Sequence, residues 1–128
     1  MYTALYASIL AGLLCKLSLN VIKARRSNKV LYADGDCQEL IIARTAQSNA
    51  VDYCPIAMIL LLLLELNGGH YLLVNIIGIA FVTGRIIHAK GILSENLKGR
   101  ILGMQITIFS LIGLIISNIG YFIYEKLF

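Results

Sequence analysis

The sequence lacks most of what marks a soluble enzyme or a disulfide scaffold. It has no tryptophan, one proline, two histidines, and only 14% charged residues. Its three cysteines, Cys15, Cys37 and Cys54, form no CxxC pair. That leaves no disulfide framework and no zinc site, and no metal is expected; the cysteines read as small apolar filler. The N-terminal apolar stretch has neither a basic leader nor a small-residue cleavage site, so it reads as a retained helix rather than a signal peptide. It also has no carboxylate, which argues against a four-spanning, proton-coupled exporter. There is no internal repeat and no low-complexity linker.

What is present is apolar. The 128 residues have a mean hydropathy of +0.81, and a single soluble domain of this size cannot bury so much apolar surface. The apolar residues form four blocks, at about 2–22, 39–66, 71–88 and 101–124. Each reaches or nears the roughly 20 residues that cross a hydrocarbon core. The expected fold is an all-α integral membrane domain, a four-transmembrane-helix bundle.

The net charge of +4 is confined mainly to connections between spans, so nucleic acid is not an expected partner. Lys23, Arg25, Arg26 and Lys29 follow the first span, and Arg85, Lys90, Lys98 and Arg100 border or fill the third connection. The second connection, 67–70, has no Lys or Arg. The positive-inside rule then places connections one and three in the cytoplasm and both termini on the far side. Tyr2, Tyr6, Tyr71, Tyr121 and Tyr124 fall near that far interface as an aromatic belt.

Smaller features complete the outline. Asp34-Gly35-Asp36 is a turn signal, and either aspartate could cap the second helix. Asn67-Gly68-Gly69 suits only a tight turn. Pro55 lies inside the second span, where a kink is expected. Gly78, Gly84, Gly103, Gly113 and Gly120 allow close helix approach in lipid. Asn75 and Asn118 are expected to hydrogen-bond between helices. Lys16 can snorkel towards the interface.

The stretch 44–55 stands apart. On a helical wheel with Arg44 at zero, Ser48 falls near ~40°, Asp52 near ~80°, Thr45 near ~100° and Asn49 near ~140°. Gln47 lies beside Arg44, and Tyr53 at the other edge. One face thus carries a base, two hydroxyls, an amide and a carboxylate at the mouth of a lipid-grade helix. Snorkelling accounts for Arg44 but not for the short side chains of Asn49 and Asp52, which need partners. Arg25, Arg26, Arg85 and His88 lie on the same membrane side; Arg85 and His88 share a helix face. Arginines suit carboxylates, an aspartate suits an ammonium group, and a guanidinium beside a thiol favours the thiolate. A small peptide with carboxylates, an amine and a thiol fits that set; glutathione is one such molecule, though composition alone does not select it.

The run Ala46-Gln47-x-Asn49-x-x-Asp52-Tyr53-x-Pro55 resembles the second-helix signature of the MAPEG family, the membrane-associated proteins of eicosanoid and glutathione metabolism. Ala24-Arg25-Arg26-x-x-Lys29-Val30 is similar to the end of the family's first helix, and Gly84-Arg85-x-x-His88-x-x-Gly91 to its third. Small bacterial inner-membrane members are the expected relatives. The resemblance implies a homotrimer that binds glutathione as co-substrate near the cytoplasmic side, between protomers. By position, Arg25, Gln47, Asn49, Asp52, Tyr53, Arg85 and His88 would contact it, with Arg100 and Arg26 as candidates for stabilising its thiolate. The implied activity is a glutathione-dependent transferase or peroxidase acting on lipophilic electrophiles or lipid hydroperoxides arriving from the bilayer. Thr45 stands where the family keeps an arginine, and Ile92 where it can have a tyrosine. These two positions favour the alternative, a non-catalytic membrane module binding anionic lipid or a partner protein.

Overall fold

The computed structural model describes all 128 residues. It contains four helices and no strand: α1 (Tyr2–Asn28), α2 (Gln38–Leu66), α3 (Tyr71–Leu93) and α4 (Leu97–Leu127). All four are long and apolar enough to cross a membrane. They outrun the apolar blocks that announced them. α1, for example, continues through Lys23, Arg25 and Arg26 to a left-handed Lys29, because backbone hydrogen bonding persists in the interface after the side chains turn polar. α2 runs through Pro55, which lies on its exposed face.

α3 is the centre of the bundle. It packs most extensively on α4 and also contacts α1 and α2; α1 and α4 do not touch. Phe81 and Val74 of α3, Leu10 and Leu17 of α1, Ala57 and Leu61 of α2, and Leu114 of α4 form the buried core. Outside it, large apolar side chains such as Ile76, Phe109, Ile116 and Phe122 are exposed along most of each helix. That inversion suits a lipid solvent.

α3 and α4 approach closely because glycines remove side chains from the contact. A Cβ at Gly103 would strike the backbone of His88, and one at Gly91 would strike the backbone of Arg100. At the other end, Glu65 of α2 accepts from the Tyr2 and Thr3 amides (2.6 and 2.8 Å) and from the Thr3 hydroxyl (2.6 Å). α1 has no acidic residue in its first turn and no side-chain cap of its own, so α2 supplies the acceptor that its N-terminus needs. Tyr121 of α4 accepts from the His70 amide (2.9 Å) in the α2–α3 turn. Both termini and the second connection therefore share one end of the bundle.

The interhelical amides behave as expected. Asn75 Oδ1 accepts from the Tyr6 hydroxyl (2.5 Å), and Asn118 Nδ2 donates to the Leu60 carbonyl (2.9 Å). Two local expectations fail. Tyr6 is no belt residue: it is buried, and its ring fills the space left by Gly78. Neither aspartate caps α2. Asp34 Oδ1 accepts from the Asp36 amide (3.0 Å) and closes its own turn, leaving Cys37 as N-cap without a side-chain bond.

Candidate functional site

The polar face of α2 exists as drawn on the wheel. Arg44, Thr45, Ser48, Asn49 and Asp52 line an open cleft of about 340 Å³, joined by Ile41 and by Asp34 from the α1–α2 connection. Helical spacing puts them in line, and the turn at 34–36 brings Asp34 over them. Arg44, Ser48 and Asp52 are exposed, while Asn49 and Thr45 are half-buried. The Thr45 hydroxyl donates to the Ile41 carbonyl one turn back (2.7 Å).

Behind Asn49 sits Arg85, 2% exposed. Its Nη1 donates to Asn49 Oδ1 (2.6 Å) and its Nε to Thr107 Oγ1 (2.9 Å). Thr107 in turn donates to the Gly103 carbonyl (2.8 Å). The guanidinium carbon lies 5.1 Å from the centre of the Tyr53 ring, within cation–π range. Arg85 thus ties α3 to α2 and α4 at once. Its Nη2 is buried without a hydrogen-bond partner. A buried guanidinium is stable only when paired or well hydrogen-bonded, so this free donor gives Arg85 remaining capacity for an anion or acceptor.

His88 is also buried, one turn further along α3. Its Nδ1 lies 2.8 Å from the Arg100 carbonyl. A carbonyl only accepts, so Nδ1 carries the proton; in the neutral ring Nε2 is then an acceptor. Nε2 has no partner in the protomer.

The remaining candidates are dispersed. Gln47 Nε2 donates to Ser18 Oγ of α1 (2.9 Å). Arg25 donates to the Ala33 carbonyl (2.8 Å), and with Arg26 it lines a separate pocket at the end of α1. Arg100 lines an adjoining cleft of about 290 Å³ that shares Ile41 and Thr45 with the first. Within one protomer, then, Asn49, Asp52, Tyr53 and Arg85 come together, His88 stands a turn away, and Gln47, Arg25, Arg26 and Arg100 face elsewhere. Thr107 escaped the sequence reading. A lone threonine in an apolar span carries no signal, and only the packing of α4 on α3 brings it to Arg85.

Comparison with known proteins agrees with this architecture. The model of the MAPEG family matches residues 3–120. The inner membrane protein YecN of Escherichia coli K12 is 38% identical over 128 residues, covering the whole chain and 98% of the relative, and YecN of Escherichia coli O6:H1 matches equally.

Proposed function

Since the chain belongs to the MAPEG family, we propose that it is an integral inner-membrane protein that binds glutathione in the α2 cleft and adds its sulfur to lipophilic electrophiles or uses it to reduce lipid hydroperoxides. The observation that carries this reading is the Asn49–Arg85 pair standing over Tyr53 at the back of a cleft with charges of both signs. Glutathione presents two carboxylates, an ammonium group and a thiol. Arg44 is matched to a carboxylate, and Asp52 and Asp34 to the ammonium. Asn49, oriented by Arg85, supplies a fixed amide.

Depth supports a shared cleft. Asp52 lies at the midpoint of α2 and is exposed on its protomer. A carboxylate facing lipid at such depth costs roughly 2.5–3.5 kcal/mol on insertion scales. Cover by a second copy removes that exposure, and in this reading the chain is a homotrimer with its clefts between protomers. The basic connections face the cytoplasm, as the charge distribution favours. Arg100, in the adjoining cleft, is a guanidinium suited to hold a thiolate; Arg26, in the pocket at the end of α1, has no part in it. The thiolate sulfur forms the new C–S bond as the leaving group departs. With a hydroperoxide it takes one oxygen, the O–O bond breaks to give the alcohol, and a second glutathione yields the disulfide and water.

Isothermal titration of the intact detergent-solubilised oligomer tests the reading. Saturable glutathione binding at or below millimolar concentration is expected, weakened at least tenfold by Asn49→Ala without dispersal of the oligomer. No binding by an intact wild-type oligomer refutes it and favours the non-catalytic module, a reading to which the internal satisfaction of Asn49 and Thr45 lends weight.

A further inference from the structure

The α2 cleft is smaller than another hollow of the protomer. That hollow is a pocket of about 590 Å³ at the end of α1, lined by Ile22, Arg25, Arg26, Lys29, Val30 and Leu31. Three cations and three aliphatic side chains make up the whole wall. No carboxylate lines it: Asp34 closes its own turn and lines the α2 cleft, Glu39 of α2 accepts from Asn28 Nδ2 (3.1 Å), and Asp36 is not part of the wall. The pocket is therefore uniformly cationic.

Its shape follows from local backbone. Lys29 takes a left-handed conformation (φ 53°), and the Val30 amide bonds back to the Arg25 carbonyl (3.1 Å). This folds Val30 and Leu31 back beside the helix end. Ala33, also left-handed (φ 51°), offers its carbonyl to Arg25 Nη1 (2.8 Å) and holds that guanidinium in place. Arg26 and Lys29 are exposed and form no side-chain bond in the protomer. Beyond them Leu31 and Tyr32 stand 83% and 85% exposed.

Cations gathered at a helix C-terminus are ordinarily explained by the helix dipole. That account leaves the aliphatic wall and the bare Leu31 and Tyr32 without a reason. Position supplies one: Ile22 ends the apolar run of α1, so the pocket lies at headgroup depth, with apolar surface facing lipid and charge facing phosphate.

We propose that Arg25, Arg26 and Lys29, with Ile22, Val30 and Leu31, form a binding site for an anionic phospholipid. The lipid phosphate is held by the three cations, the glycerol and first acyl methylenes rest on the aliphatic wall, and Leu31 and Tyr32 insert beside it. Charge complementarity chooses an anionic over a zwitterionic headgroup, and the aliphatic wall chooses a lipid over a soluble phosphate. The site lies apart from the α2 cleft and does not depend on glutathione chemistry.

Native mass spectrometry of the full chain in detergent with equal amounts of phosphatidylglycerol and phosphatidylcholine tests the proposal. Preferential retention of phosphatidylglycerol is expected. Each interfacial cation contributes about fivefold, so Arg26→Gln with Lys29→Gln should lower the preference about 25-fold, while Lys98→Gln, a cation in the first turn of α4, should leave it intact. Leu31→Gln, which removes wall but no charge, should shorten lipid retention in an independently folded variant. Equal retention of both lipids, an equal loss in Lys98→Gln, displacement of the lipid by an equal concentration of glycerol phosphate, or displacement by glutathione would each overturn it.

Discussion

Replacing Gly103 by alanine adds one methyl group, yet the structure gives it nowhere to go. The new Cβ would overlap the His88 amide nitrogen and lie 2.5 and 2.6 Å from its Cα and Cβ. Two of these are backbone-chain atoms of α3, so no rotamer change relieves the contact; α3 and α4 must separate. Overpacking costs typically 1–3 kcal/mol when side chains and backbone can adjust. Here the obstacle is backbone within the most extensive interface of the bundle, which sets the expectation at about 3 kcal/mol, the top of that range, or roughly a 150-fold shift in the unfolding equilibrium. The damage should spread to the site, because Thr107 bonds to the Gly103 carbonyl and to Arg85, and His88 to the Arg100 carbonyl. Gly99, one turn earlier on the same helix, is the control. A Cβ there meets Gly91 Cα at 3.5 Å, an ordinary contact. Gly99→Ala should be neutral or stabilising by up to about 1 kcal/mol, from the better helix propensity of alanine. Denaturant titration in mixed detergent micelles, followed by helical circular dichroism, measures both. Equal stability of the two alanine variants would refute the argument from backbone contact.

Glu65→Ala should release the α1 N-terminus by removing three accepted bonds; hydrogen exchange at residues 2–6 should accelerate while the centre of α1 stays protected. Tyr6→Phe removes the hydroxyl bonded to Asn75 but keeps the ring against Gly78, so it should cost about 0.6–1.7 kcal/mol in the same titration. Arg85→Lys keeps the charge but cannot serve both Thr107 and Asn49 or lie flat over Tyr53. Glutathione binding by calorimetry should fall at least tenfold, and binding equal to wild type would remove Arg85 from the site.

Much of the fold was legible from the chain because lipid simplifies the problem. A helix is the one open-chain way to satisfy the backbone in hydrocarbon, so block length and hydropathy announced four helices. The polar face of α2 was legible for a similar reason: helical periodicity converts the spacing of Arg44, Ser48, Asn49 and Asp52 directly into a line, and the cleft has that lining. Asn75 and Asn118 were legible as interhelical donors or acceptors because an amide inside an apolar span must find a partner. Tyr6 was misread because position along a span gives depth but not facing. Asp34 was misread because a short carboxylate can close its own turn as readily as it caps the next helix.

The site divides along the same line. Composition and order placed Arg25, Arg26, Arg85 and His88 at one end of the bundle with the α2 face, and they do share that end. Which of them reaches Asn49 depended on how each helix is rotated about its axis, and rotation is set by packing. Gly103 and Gly91 bring α4 against α3, which delivers Thr107 to Arg85 and turns the guanidinium to Asn49. The left-handed turn after α1 carries Arg25 and Arg26 to a pocket of their own. By itself, then, the sequence determined the solvent, the number of helices and the polar face of α2, since each follows from local periodicity and transfer energy. The tertiary structure decided the partners of Asn49, the cap of α1 by Glu65 and the separation of the two basic groups, because these join residues far apart in sequence through contacts that no local pattern encodes.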